Sequence, residues 1–149
     1  MTIRASKKED FTQIFDIYSN SKLDELQFEE QKFSLVPIEE DSKRLSELME
    51  SDVYVFYNEQ LIEGYAALYG NEIRALFVRP ESRGMGIGKK LLEFLLSNIS
   101  SNFYLNVVST NHPAKNLYSA YGFNVTGTFK TTYNQLPVLA EKMERLNNK

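Results

Sequence analysis

The sequence contains no cysteine and a single histidine, His112, among its 149 residues. These absences exclude a thiolate nucleophile, a cysteine-ligated zinc site, an iron–sulfur cluster and a metal site built from two histidines. Carboxylates are the only metal ligands left. We therefore predict that the protein binds no metal and that its chemistry comes from other groups.

The sequence is also poor in positive charge and in long apolar segments. Its 17 Lys and Arg residues are outnumbered by 20 Asp and Glu residues, giving a net charge of −3 and a pI of about 5.3. Because proteins that neutralise nucleic-acid phosphates are normally basic, we predict no nucleic-acid partner. No segment approaches the ~20 apolar residues of a membrane-spanning helix, and the start of the chain lacks a signal-peptide apolar run. We predict a cytoplasmic protein with no membrane partner.

The length favours a single domain over residues 1–149, since domains commonly contain roughly 100–200 residues. Hydrophobic periodicity predicts the order β-α-(α)-β-β-β-α-β-α-β-β. The predicted strands cover residues 3–5, 53–57, 61–69, 72–78, 104–108, 124–129 and 138–143. The predicted helices begin at 8–10, near 45, at 86 and at 113, with a short one between 19 and 37. This order predicts an α/β (α+β) fold with one mixed sheet covered on both faces.

A glycine-rich loop is the most informative segment. The apolar strand that ends at Val78 is followed by Pro80, and then Gly84, Gly86 and Gly88 lead directly into an amphipathic helix. Glycine permits positive φ and close approach of a ligand to the backbone, and the free amides of a helix N-terminus attract anions. The loop is therefore typical of a diphosphate site, with Arg83 as an additional charged donor.

The spacing of the glycines distinguishes between the known kinds of phosphate-binding loop. The dinucleotide pattern G-x-G-x-x-G fails because Lys89 occupies the last glycine position. The nucleotide P-loop pattern fails because Arg83 occupies its first glycine position and Lys90 its hydroxyl position. The pattern that remains is R-x-x-G-x-G at Arg83, Gly86 and Gly88. A turn that simply allows a helix to pack on a strand is the structural alternative.

The loop resembles the acetyl-CoA loop of the GNAT superfamily of N-acetyltransferases, [Q/R]-x-x-G-x-[G/A] after a strand ending V-x-P. A second segment is similar to that family's N-x-x-A-x-x-x-Y-x-x-x-G-F pattern. It matches at Asn111, Ala114, Tyr118, Gly122 and Phe123. Residues 131–139 only partly match the tail of a similar bacterial branch of acetyltransferases. The resemblance implies a mostly antiparallel sheet of six to seven strands, splayed where acetyl-CoA binds.

The resemblance also implies which residues bind acetyl-CoA as a co-substrate. Loop amides would hold the pyrophosphate, strand backbone would pair with the pantetheine arm, and a backbone amide near Phe77 would polarise the thioester carbonyl. The expected binding residues are Leu76, Phe77, Val78, Arg83, Gly84, Met85, Gly86, Ile87, Gly88, Lys89, Asn111 and Asn116.

Two residues are predicted to be catalytic. Tyr118 is the expected general acid, because a phenol with a pKa of about 10 stays protonated at neutral pH and can donate to the departing sulfur. A packing role in its helix is the alternative for this tyrosine. Glu72 is the expected base, by analogy with a glutamate that some family members place before the loop. Its alternative is a solvated strand residue, and Glu63 and Asn106 are weaker candidates.

The predicted function is transfer of an acetyl group from acetyl-CoA to a primary amine, by direct attack in a ternary complex. The acceptor is a small molecule or a protein. The alternative is a catalytically idle acyl-CoA-binding sensor or partner-binding module, which would need the glycine loop but not Tyr118. An unpaired terminal strand would in addition allow a homodimer.

Overall fold

Seven strands form one continuous sheet in the computed structural model, which describes residues 2–146. The strands lie in the order β1-β2-β3-β4-β5-β7-β6, and every neighbouring pair is antiparallel except β4 and β5. The strands are β1 Ile3–Ala5, β2 Asp52–Asn58, β3 Leu61–Tyr69, β4 Glu72–Val78, β5 Phe103–Val108, β6 Asn124–Tyr133 and β7 Leu136–Arg145. The α-helices are α1 Phe11–Ser21, α2 Ser42–Glu50, α3 Ile87–Asn98 and α4 His112–Ala120.

Helices cover both faces of the sheet, as predicted. On one face, the periodic apolar residues of α3 pack with α4 residues against the sheet, and Leu91, Leu92 and Leu95 are completely buried. On the other face, Ile14 and Ile17 of α1 pack with α2 against β2 and β3. Each helix presents one apolar side at a period of 3.6 residues, so burial of that side holds it on the sheet.

The two central strands separate soon after they meet. Within residues 2–146, the ladder between β4 and β5 is one pair, Glu72 with Tyr104. From Ile73 to Val78, the edge of β4 that faces β5 is therefore not paired with that strand. The splay that the resemblance implies is present.

The C-terminal hairpin differs from the sequence prediction in length and position. β6 and β7 continue to a tight turn at Asn134 and Gln135, both of which have positive φ, 48° and 67°. Glutamine is not a residue that signals such a turn, so the sequence prediction ended these strands too early. The last strand, β7, lies between β5 and β6, and the edges of the sheet are β6 and the first strand, β1.

The short helix predicted between residues 19 and 37 is a 3₁₀ helix at Lys22–Leu26. We call Lys22–Leu26 the acidic turn, because it carries Asp24 and Glu25. The extended chain after it is tied to the hairpin, where the Val36 amide donates to the Tyr133 hydroxyl at 2.9 Å. This anchoring holds the acidic turn against the opening between β4 and β5. Within residues 2–146, no helix is long and apolar enough to span a bilayer.

Candidate active site

A cleft of about 300 Å³ occupies the opening between β4 and β5. One wall of the cleft is β4 and the opposite wall is β5. The acidic turn and α4 close the two remaining sides. The lining residues are Ser21, Asp24, Glu25, Gln27, Ile73, Arg74, Ala75, Leu76, Phe77, Val78, Arg83, Gly88, Leu105, Asn106, Val107, Asn111, Pro113, Ala114, Leu117 and Tyr118. Residues from both sequence motifs therefore meet at one cleft.

The backbone of β4 presents alternate amides to this cleft. The Arg79 amide donates to the Glu63 carbonyl on β3 at 2.7 Å, so alternation along the ladder directs the Phe77 amide to β3 as well. The amides of Leu76 and Val78 then point toward the cleft. The expectation of a backbone amide near Phe77 is thereby sharpened: the available donors are those on either side of Phe77, while its own amide serves the sheet.

The glycine loop adopts the conformation that its sequence predicts. Gly84 and Gly86 have φ of 81° and 78°, and a Cβ at either position would meet no atom within 4 Å. Gly86 is the N-cap of α3, and no side chain from residues 2–146 caps that helix. Open space and uncapped first-turn amides leave the loop backbone accessible to an anion. Lys89 is exposed beside the loop, Met85 is exposed at its tip, and Ile87 is buried in the core.

Arg83 stands at the mouth of the cleft and joins three elements. Its guanidinium pairs with Asp24 of the acidic turn at 2.5 Å and donates to the Ser21 hydroxyl and the Val78 carbonyl. Its side chain is 42% exposed, so the group can also reach an anion in solvent. The structure thus gives Arg83 a bridging role that spacing alone did not indicate.

The two predicted asparagines occupy different positions. Asn111 is buried and lines the cleft, and its side chain accepts from the Ala114 amide at 3.5 Å as the N-cap of α4. Asn116 is exposed on α4 and does not line the cleft. Asn106, a weaker candidate base, lines the cleft but is exposed, so it has none of the burial that the apolar strand pattern indicated.

Tyr118 lies on the inner side of α4 and lines the cleft. It is 9% exposed and packs edge to face against Phe123, with ring centroids 5.6 Å apart. Burial raises the pKa of the Tyr118 phenol well above its usual value, and the negative charge of Glu25 raises it further. The phenol therefore stays protonated throughout the neutral range. Tyr118 therefore both packs against Phe123 and lines the cleft.

Glu72 lies outside the lining of the cleft. It occupies the closed end of the β4–β5 opening, where its carboxylate accepts from the Arg74 guanidinium at 3.2 Å. Arg74 is in turn paired with Glu50 at 2.6 Å. Sequence spacing alone did not reveal this network, in which Arg74 of β4 joins Glu72 to Glu50 of α2. Glu63, the other glutamate candidate, is buried and accepts from the Ser82 hydroxyl at 3.1 Å, away from the cleft.

Asp24, Glu25 and Gly64 are among the residues at or near the site that the sequence prediction did not include. Asp24 and Glu25 line the cleft because the irregular segment around them is folded onto it. Gly64 of β3 lies directly under the start of α3, with no room for a side chain. A glycine inside a predicted strand is a recognised signal for close approach and was available for Gly64, whereas nothing local indicated the two acidic residues.

Known proteins resemble this chain in sequence. A model of the acetyltransferase (GNAT) domain matches residues 49–125. Peptidyl-lysine N-acetyltransferase YjaB of Escherichia coli K12 is 37% identical over 81 residues, 54% of each protein. YjaB of Salmonella typhimurium is 41% identical over 64 residues, 43% of each. The matches thus span about half the length of these curated relatives.

Solved structures match over nearly the whole chain. The solution structure of apo YjaB from Escherichia coli is 27% identical, covers 98% of this chain and 97% of that one, and has a TM-score of 0.75. Salmonella typhimurium yncA, solved with acetyl-CoA as its cofactor, is 20% identical over 100% and 95% of the two chains, with a TM-score of 0.71. The similarity to yncA shows that the two chains share a fold. Because the family model covers more than half of the sequence, the chain belongs to the GNAT acetyltransferase family.

Proposed function

We propose that the protein transfers an acetyl group from acetyl-CoA to a primary amine. The observation that carries this proposal is the opening between β4 and β5. It is flanked at one end by an uncapped helix N-terminus with two positive-φ glycines and walled by a buried, protonated Tyr118. Membership of the GNAT family supports the same reaction.

The shape and chemistry of the cleft fit acetyl-CoA. The amides of Leu76 and Val78 that point toward the cleft could pair with the extended pantetheine arm of acetyl-CoA, as an added strand pairs with a sheet edge. The amides from Gly84 to Gly88 would hold the diphosphate, with Arg83 and Lys89 supplying positive charge beside it. No Cβ in the loop obstructs this approach at Gly84 or Gly86.

The residues of the cleft would promote direct transfer. Bound acetyl-CoA supplies an activated acyl thioester. The amide of Leu76 or Val78 would donate to the carbonyl oxygen, where negative charge develops as the amine attacks. Tyr118 would donate its proton to the departing sulfur. The sequence has no cysteine for an acyl-enzyme, which is consistent with a direct route.

The acceptor amine is proposed from the relatives. Two of them carry the name peptidyl-lysine N-acetyltransferase YjaB. We propose that this chain also acetylates lysine side chains of peptides or proteins. A lysine amine has a pKa of about 10.4, so only a small fraction is neutral at pH 7, and the site must favour the neutral form.

Thiol release provides the test. Purified protein is incubated with acetyl-CoA and a panel containing a lysine peptide, the same peptide with the ε-amine blocked, a peptide with only a free N-terminal amine, and a diamine. We expect thiol release with the unblocked lysine peptide and mass spectrometry showing one added acetyl group. Binding of acetyl-CoA without thiol release for any amine would contradict the proposal and support an idle acyl-CoA-binding module.

A further inference from the structure

A second pocket of about 100 Å³ lies on the α1 and α2 side of β4. Its walls combine aromatic and aliphatic side chains with five charged ones. They are formed by Tyr18, Lys22, Glu25, Ile38, Arg44, Glu47, Leu48, Tyr65, Ala67, Arg74, Ala75 and Phe77. Glu25, Arg74, Ala75 and Phe77 also line the β4–β5 cleft. The second pocket and the cleft therefore share a wall at the strand where the thioester is proposed to bind.

The Tyr18 hydroxyl is an unpartnered polar group in this second pocket. Tyr18 is 4% exposed, and its Oη is buried without a hydrogen-bond partner within residues 2–146. The ring is fixed by edge-to-face contact with Phe77, with centroids 5.9 Å apart. A buried hydroxyl without a partner destabilises the fold, and native proteins normally retain one only when something else satisfies it.

Glu25 is the carboxylate at the junction between the second pocket and the cleft. Its Oε1 accepts from Lys22 Nζ at 2.7 Å, whereas its Oε2 accepts no hydrogen bond from residues 2–146. Burial is the main cause of the raised pKa values of Tyr18 and Tyr65 in the second pocket and of Tyr118 in the cleft, and the charge of Glu25 raises each of them further. The Glu25 carboxylate therefore acts electrostatically on both the second pocket and the cleft. Glu72 lines neither of them.

We propose that the second pocket receives the acceptor amine, that Tyr18 Oη accepts a hydrogen bond from it, and that Glu25 removes its proton. This inference rests on the proposed acetyl transfer. The nitrogen lone pair forms the new bond to the carbonyl carbon and the carbon–sulfur bond breaks. The amine proton passes to Glu25 and the sulfur takes the Tyr118 proton. Solvent returns one proton to Tyr118 and removes one from Glu25, so an amine and a thioester give an amide and a thiol.

The dimensions and charges of the second pocket define the class of amine. An apolar cavity of about 150 Å³ accommodates benzene, so a space of about 100 Å³ fits an unbranched alkyl arm better than it fits a ring. The charged groups that face it are Lys22 and Glu25 of the acidic turn, Arg44 and Glu47 of α2, and Arg74 of β4. All three cations are paired with carboxylates, Lys22 with Glu25, Arg44 with Asp41 and Arg74 with Glu50 and Glu72, so the pocket carries no excess of positive charge. The acceptor is thus an unbranched primary alkylamine arm.

Tyr18→Phe separates recognition from packing. The substitution removes only the unpartnered hydroxyl, so we expect a higher Tm together with a KM for the alkylamine raised at least fivefold and an unchanged KM for acetyl-CoA. Tyr121→Phe is the matched control, since its hydroxyl bonds to Glu93 outside both spaces and its loss should leave the amine KM unchanged. An unchanged amine KM in Tyr18→Phe would overturn the role of Tyr18.

Glu25→Gln tests the proton acceptor. We expect kcat/KM for the amine at pH 7 to fall 30- to 100-fold, with the deficit shrinking as pH rises toward the pKa of the amine. A purely structural loss would not recover with pH. Glu40→Gln, at an exposed residue of the neighbouring Ile38–Glu40 turn, is the control and should behave as wild type.

The outcomes separate the two proposals. Wild-type turnover with a normal pH profile in Glu25→Gln would overturn the role of Glu25 and leave the acetyltransferase function standing. Equal kcat/KM for benzylamine and an unbranched amine would overturn the assigned acceptor class. A wild-type protein that acetylates no amine would overturn the proposed function and this inference together.

Discussion

Gly64 of β3 and Phe77 of β4 approach so closely that a Cβ on Gly64 would lie 2.9 Å from the Phe77 carbonyl oxygen. The same Cβ would lie 3.1 Å from Ile87 and 3.3 Å from Leu91 of α3. Because one obstacle is backbone, a side chain cannot be accommodated by a rotamer change alone. The absence of a side chain at Gly64 therefore sets how closely the start of α3, and with it the glycine loop, packs against β4.

Gly64→Ala is expected to destabilise the protein by about 1–3 kcal/mol, the usual cost of overpacking a core. For a domain of this size, that corresponds to a Tm lower by roughly 2–10 °C. Thermal unfolding followed by circular dichroism measures the change. Gly127→Ala is the matched control on β6, because a Cβ there meets nothing within 4 Å. Equal Tm values for the two variants would show that the close approach does not matter.

Arg83→Ala is expected to weaken acetyl-CoA binding far more than it weakens the fold. The Arg83–Asp24 pair is 42% and 48% exposed, and such pairs contribute about 0–1 kcal/mol to stability. The KM for acetyl-CoA should rise at least tenfold, since a charged donor beside the diphosphate is lost, while kcat changes little. Lys43→Ala, at an exposed residue of α2, controls for loss of a cation. A normal KM combined with a large drop in Tm would instead make Arg83 a structural residue.

Asp10→Asn is expected to destabilise the N-terminal region in a pH-dependent manner. Hydrogen bonds from the Arg4 guanidinium, at 2.7 and 3.1 Å, hold the pKa of the buried Asp10 carboxyl below its usual value. A carboxyl with a lowered folded-state pKa contributes its stability above its unfolded pKa and loses it as pH falls through the folded value. The variant should lose about 2 kcal/mol at pH 7. Urea unfolding at pH 7 and near pH 3 should show this deficit shrinking on acidification; an equal deficit at both would contradict the assignment.

The fold was largely predictable where local signals are strong. β2, β3 and β4 have the predicted bounds to within one residue, because short polar turns separate these runs of apolar and aromatic residues. The glycine loop was equally clear. The turn at Asn134 and Gln135 was not, since its positive φ at Gln135 is imposed by the hairpin and is not favoured by that residue.

The candidate site was predictable only in its motifs. Tyr118 and the glycine loop were found because each lies in a recognisable pattern. Glu25 reaches the cleft through contacts between the segment after it and β6, which are separated by about a hundred residues. The ion pair between Arg74 and Glu72 also involves a distant segment, because the same guanidinium pairs with Glu50 of α2. Sequence spacing on one strand contains none of this long-range information.

The most direct measurement of the central claim is the kcat of Tyr118→Phe for acetylation of a lysine peptide, compared with wild type. Acetyl transfer with Tyr118 as the proton donor predicts a kcat lower by about 10- to 100-fold and an unchanged KM for acetyl-CoA. The Phe side chain keeps the contact with Phe123, so the fold should be retained, which circular dichroism can check. An unaltered kcat in the folded variant would contradict the account.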